Sequence, residues 1–195
     1  MRKSKQLFSL ITLLIVVAWF LSTNQGTKQT LITPLTVTPT AGNVLSETTG
    51  GTCHAIHVNE SDPQAYLPDP NCTPGVIDPA VIQENLETTI CKSGYTQTVR
   101  PSVTYTNDLK KQQMKDYGYS DTNMSDFEED HFISLELGGS PTDAKNLWPE
   151  PHPSTNEKDL VENYLHKEVC DGNMTLVQVQ QAIAKNWYDI YKQIQ

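Results

Sequence analysis

An α+β domain is the fold class the sequence predicts, and three observations predict it. Two capping boxes precede amphipathic runs near the C-terminus, a short strand-like run ends on Asp130-His131 ahead of a Gly138-Gly139 turn, and turn-forming proline dipeptides crowd the stretch before them. At 195 residues the chain has room for one such domain, on a prior of roughly 100 to 200 residues each. Hydrophobic residues supply 37% and charged residues 19%, which allows a modest core and argues against a highly charged disordered chain.

Residues 1–21 read as an export signal or membrane anchor, because Arg2, Lys3 and Lys5 precede an apolar run of 15 residues from Leu7 to Leu21. No A-x-A cleavage pattern follows, and the run is shorter than the roughly 20 residues that usually span a bilayer, so cleavage and anchoring both stay open. Residues 22–52 are rich in Thr, Ser, Gly and Pro and bury too little apolar surface to order a backbone, as expected of a flexible linker. The folded domain is expected over 53–195. Its first part, to Pro79, carries Asp62-Pro63, Leu67-Pro68, Asp69-Pro70 and Thr73-Pro74 and reads as loop.

Asp78 is placed to cap a brief helix with Pro79 at its first position and Val81, Ile82 and Leu86 on its apolar side. Arg100-Pro101 should be extended, and Thr106 is expected to cap a helix ending at Gly118. Ser154 and Glu157 form a capping box before a helix to about Cys170, with Leu160, Val161, Tyr164, Leu165 and Val169 on one face and Gly172 as its stop. Thr175 and Gln178 repeat the box ahead of Leu176, Val179, Ile183, Trp187, Ile190 and Ile194, which follow helical spacing to the C-terminus.

All four cysteines, Cys53, Cys72, Cys91 and Cys170, lie beyond the apolar run, as an oxidising destination with two disulfides would have them. Three connectivities are possible. Cys53 with Cys72 and Cys91 with Cys170 is favoured, since the first closes a turn-rich local loop and the second ties a helix end to the domain's start. Zinc held by Cys53, His54 and His57 is the rival, weakened because the chain contains no C-x-x-C pair.

Formal net charge is −9, and beyond the three leader cations 11 Lys and Arg face 23 Asp and Glu. A broad electrostatic grip on nucleic acid is thereby excluded as the main activity, because such binding rests on clustered cations. Phosphate chemistry here has to be local and metal-assisted.

The segment that carries chemistry is 127–158. Asp130-His131 ends the strand-like run, Gly138-Gly139 turns the chain, Asn146 follows His131 by 15 residues, and Asn156 follows Asn146 by 10 in the first turn of a capped helix. This spaced constellation resembles the HNH, or ββα-metal, nuclease motif, with a core expected over 127–170. PDPNCTPG, TICKSGYTQTVRPSVTYTNDLKKQQM and NLWPEP are similar to segments of exported bacterial proteins carrying an HNH-like domain.

The resemblance implies that His131 is the general base, that Asp130 and Asn156 hold a divalent metal, most simply Mg²⁺, and that Asn146 braces the loop carrying the histidine. An imidazole with an ordinary pKa near 6.5 suits water activation at neutral pH, and a hard cation with one or two protein oxygen ligands suits the phosphate. Lys158, Lys145 and Arg100 are the candidate phosphate contacts. His152, between two prolines, is an alternative ligand. Trp148, Tyr105, Tyr117 and Tyr119 are candidates for stacking on bases or for the core.

The expected function is therefore a metal-dependent endonuclease acting outside the cytoplasm on DNA or RNA, touching the membrane only if the leader is uncleaved, with no protein partner predicted. The alternative from another class is an exported or surface-anchored binding module that keeps the scaffold without turnover.

Overall fold

A computed structural model describes residues 51–151 and 157–195, so the expected leader, most of the expected linker, the Ser154 cap, His152 and Asn156 lie outside the described residues. The architecture is α+β. Among the described residues, two two-stranded antiparallel ladders, Ile56–His57 (β1) with Tyr66–Leu67 (β2) and Phe127–His131 (β3) with Leu147–Pro151 (β4), lie among four α-helices and three short 3₁₀ turns. The helices are Tyr95–Val99 (α1), Val103–Asp116 (α2), Glu157–Cys170 (α3) and Leu176–Ile194 (α4). No helix among the described residues is long and apolar enough to cross a membrane.

Local chemistry accounts for the helix ends. Ser102, not Thr106, caps α2 by accepting from the Tyr105 amide, and Thr106 sits inside with its hydroxyl turned back to the Val103 carbonyl. Pro101 immediately before Ser102 sets the extended entry, so the earlier hydroxyl takes the cap. Gly118 at φ +66° ends α2, with Tyr119 N donating to Met114 O and Gly118 N to Lys115 O, the double bond of a Schellman stop. Gly172 at φ +76° ends α3 with the equivalent pair from Asn173 N and Gly172 N. Thr175 and Gln178 form the expected reciprocal cap of α4.

Three further expectations change. The helix expected from Pro79 is a 3₁₀ turn over Gln83–Thr88. The Asp78 carboxylate instead holds the Ala80 amide, and the Asn85 side chain bonds Ile82 N and Ala80 O, leaving Ile82 exposed beside buried Val81 and Leu86. On α3, Leu160 and Tyr164 face solvent, while Lys158, Val161, Leu165 and Val169 form the buried stripe. Helix α4 breaks at Asn186, whose backbone leaves the helical region and whose Oδ1 accepts from Tyr188 N, restarting the helix like an N-cap. The break buries adjacent Trp187 and Tyr188 together. Trp187 Nε1 donates to Tyr66 O, and the Tyr188 hydroxyl meets Asp62 and Asn59.

The main core joins the buried stripes of α3 and α4 to Val81, Leu86, Ile90, Ile133 and Leu137. A second cluster of Cys53, Tyr117, Phe132 and Trp148 fills the other side, so Trp148 and Tyr117 are packing residues and not stacking platforms. Both favoured disulfides are present, Cys53–Cys72 and Cys91–Cys170. The zinc alternative falls with them, since Cys53 is oxidised and His57 stacks on Tyr66 while bonding the Asp62 carbonyl.

Loop length ranks the two bridges. With Cys91 and Cys170 separated by 79 positions in sequence and Cys53 and Cys72 by 19, chain-entropy loss favours the former, about 4.5 against about 3 kcal/mol. Urea unfolding of the two double Cys→Ser variants should show the larger loss for Cys91/Cys170. The reverse order would mean that native-state strain or residual denatured structure dominates.

Candidate functional site

The hairpin that carries Asp130 and His131 is in register Phe127 with Pro151, Asp130 with Trp148 and His131 with Leu147. Side-chain alternation puts Phe127, Glu129 and His131 on one face and Glu128 and Asp130 on the other. Residues 132–146 then loop out and return. Within the loop, Ser134 caps a 3₁₀ turn over Leu135–Leu137 that Gly138 ends at φ +76°. Gly139 has no room for a side chain, because a Cβ there would stand 1.7 Å from the Ile133 carbonyl oxygen and 2.8 Å from Asn146 Nδ2.

Asn146 closes this loop from inside. Fully buried, its Oδ1 accepts from Ile133 N at 2.9 Å, while Nδ2 donates to Ile133 O at 3.0 Å and Ser140 O at 2.9 Å. Its main-chain oxygen accepts from Phe132 N at 2.8 Å. Gln113 of α2 supports the return strand by donating to Ala144 O and Leu147 O. Nothing in its helical spacing marks Gln113 in the sequence.

The loop delivers the Pro141 carbonyl to His131. Nε2 of His131 lies 3.0 Å from that oxygen, and a carbonyl only accepts, so Nε2 carries the proton and Nδ1 the lone pair in the neutral ring. His131 is 8% exposed, and burial lowers its pKa below the ordinary value, aided by the positive charges of Lys158 and Arg100 and opposed by the Pro141 bond and Asp130. At neutral pH the side chain is an uncharged base with a defined tautomer.

Lys158 is not where a phosphate contact has to be. It is 1% exposed, and its ammonium donates to the His131 carbonyl at 3.0 Å while pairing with Asp130 at 2.8 Å and Glu162 at 2.5 Å. Burial alone would depress its pKa, but Asp130, Glu162 and Glu150 outweigh that and hold it protonated well above the ordinary value. Lys158 therefore bolts α3 to the strand end that carries His131. Arg100 and Lys145 are both exposed, Arg100 within electrostatic reach of His131.

Several acids around this nest were not singled out by the motif. Glu150 is buried and pushed well above the ordinary carboxylate range by burial and by Asp130, despite Lys158. Burial pushes Glu162 up to about 7 against the pull of Lys158. Glu129 is pushed up to about 8 by burial and by Asp130, and both its carboxylate oxygens are buried without a hydrogen-bond partner. The run FEEDH was the available signal, since three successive acids ahead of a histidine on a half-buried strand have to send at least one inward.

These observations bear on the divalent cation that the motif implies. The donors around Asp130 are hard oxygens and carboxylates outnumber ammonium groups there, which fits a hard cation, whereas the orphaned carboxylate of Glu129 lies on the opposite face of the strand. Asp130 Oδ2 is already engaged by Lys158, and Asn156 is not among the described residues. A different triad has closely spaced ligand atoms: Cys91, His166 and Cys170 offer three within 4.8 Å of one another.

Two measurements check this electrostatic reading. Lys158→Met should cost about 3 to 5 kcal/mol in urea unfolding by stranding Asp130, and adding Asp130→Asn should recover part of the loss. Unchanged stability of the single variant would contradict a buried pair. Glu129 has a folded pKa of about 8 against an ordinary 4.5, so folding takes up its proton, and stability falls as pH rises from 4.5 through 8. Glu129→Gln should therefore melt like wild type near pH 4 and higher than wild type near pH 8. A gain of equal size at both pH values would refute the shift.

No protein-family model matches the chain, and neither a curated protein nor a solved structure is significantly similar to it.

Proposed function

We propose that the domain hydrolyses phosphodiester bonds of nucleic acids in an oxidising compartment outside the cytoplasm, as an HNH-like nuclease on a ββα scaffold. The observation that carries this reading is the pose of His131, a buried neutral imidazole with its Nε2 proton committed to Pro141 O and its lone pair on Nδ1. The Asn146 clamp holds the loop that presents this acceptor, so the ring's orientation and tautomer are fixed together.

In the proposed step His131 Nδ1 takes a proton from water as the water oxygen attacks phosphorus and the leaving oxygen departs. Burial keeps the base unprotonated at neutral pH, and the Pro141 bond keeps the ring from turning. Asp130 and Asn156 would hold the cation, which when bound neutralises charge on the phosphate and the leaving oxygen. Lys158 positions His131 through its carbonyl and restrains Asp130. Arg100 lends positive potential near the base without the broad basic surface that the acidic composition excludes. The two disulfides support an extracytoplasmic location.

A non-catalytic binding module on the same scaffold is the second reading, and the commitment of Asp130 to Lys158 is the observation that favours it.

Nicking of supercoiled plasmid and cleavage of single-stranded RNA across a Mg²⁺ series separate the two. His131→Ala should lower cleavage by roughly 10²- to 10⁴-fold with circular dichroism unchanged, the usual worth of a general base. Asp130→Ala should be partly rescued by excess Mg²⁺, chelation should silence the wild type reversibly, and Asn146→Ala should act through a misplaced loop. The acidic limb of the pH profile should lie below about 6.5, because the folded-state pKa of His131 is depressed. Equal cleavage by wild type and His131→Ala, or no cleavage under any metal, would sink the nuclease reading.

A further inference from the structure

Apart from the His131 nest, the second disulfide has an unusual neighbour. His166 stands beside Cys91–Cys170, and one ligand atom from each of the three residues lies within 4.8 Å of the other two. His166 and Cys170 are four residues apart on α3 and so share one helix face. Cys91 reaches them from just beyond the Gln83–Thr88 3₁₀ turn, tied back to it by its amide, which donates to Leu86 O at 2.9 Å. His166 Nε2 donates to Ile90 O at 2.8 Å, which fixes the tautomer and leaves the ring lone pair on Nδ1. Metal-binding histidines are oriented by the same kind of outer bond.

The three residues are half-buried, and Cys91 and His166 line a cavity of about 390 Å³ shared with Tyr95 and Glu136. As a disulfide the sulfurs carry no thiolate and hold no metal. We propose that reduction of Cys91–Cys170 turns this cluster into a site for a thiophilic divalent cation of the zinc type. Its protein ligands are both Sγ atoms and the His166 imidazole, and an exchangeable fourth ligand comes from the cavity. Two sulfurs and one nitrogen are a donor set for zinc, unlike the oxygens around Asp130.

The redox step balances with a dithiol as reductant: it passes two electrons and two protons to the disulfide and leaves as its own disulfide. The cation then displaces the two thiol protons. Disulfide and metal close the same loop of 79 residues, so α3 stays tied to the domain's start in both states. The nuclease reading is not needed for this inference.

The full chain, reduced with a dithiol and freed of it under anaerobic conditions, should bind one Co²⁺ with thiolate-to-metal absorption, and the oxidised chain none. With Zn²⁺ present, alkylation mapped by mass spectrometry should spare Cys91 and Cys170 while Cys53 and Cys72 react. His166→Ala should weaken binding by at least about 10-fold, the lower end of what outer partners alone contribute. The proposal is overturned by equal alkylation of all four thiols with and without Zn²⁺, by protection confined to Cys53 and Cys72, or by an unchanged His166→Ala affinity. A reduced chain that loses its helical dichroism and does not regain it with Zn²⁺ overturns it as well.

Discussion

The buried carboxamide of Asn146 holds the chain where the hairpin leaves and where it returns, and much of the structure is arranged around that clamp. With one side chain bonding Ile133 on both its main-chain groups and Ser140 on its oxygen, residues 132–146 become a compact unit and not a floppy excursion. Buried main-chain groups need partners, and a loop folded into the core has no ladder to supply them. Asn146 substitutes for the ladder. Gly139 follows from the same constraint, because the approach that lets Asn146 reach across leaves no space for a Cβ. The rigid loop also carries Ile133, Leu135 and Leu137 into buried positions and presents the Pro141 carbonyl to His131.

Lys158 is the second fixed point, and its role follows from desolvation. An ammonium taken almost wholly out of water needs compensating charge and acceptors, which Asp130, Glu162 and the His131 carbonyl supply. Glu150 and Glu129 meet the same penalty, and burial raises both against the pull of Lys158 on Glu150 and of Lys110 on Glu129. A site with more carboxylates than cations stores an unmet demand for positive charge. Protons meet that demand, which is why burial raises these carboxyls.

The disulfides do different work on the two cores. Cys53–Cys72 is local and lies in the aromatic cluster with Tyr117 and Trp148. Cys91–Cys170 spans the domain and fixes the C-terminal end of α3 against the segment just before α1. Since α3 also brings Lys158 to the hairpin from its other end, the helix is anchored at both termini. Position at the His131 site is thus set by covalent and ionic restraints on one element.

The sequence by itself determined what depends on near neighbours: the α+β class, the Gly118 and Gly172 stops, the Thr175–Gln178 cap, the strand before Gly138-Gly139 and the even set of cysteines. Each is written within a few residues, where backbone hydrogen bonding and steric limits leave little choice. Only the tertiary structure decided the fate of Lys158, the inward turn of Glu129 and Glu150, the exposure of Leu160 and Tyr164, and the break at Asn186. In periodic patterns a lysine beside an apolar stripe reads as a solvated charge. Whether it is buried instead depends on which acids another segment brings within reach, and those lie on strands more than seven residues away in sequence. Capping competition between Ser102 and Thr106 likewise turned on where the chain entered the helix, which the Pro101 backbone set. The motif resemblance named His131 and Asn146, but the bond from Nε2 to Pro141 O that fixes the His131 tautomer forms only when the loop between them closes in three dimensions.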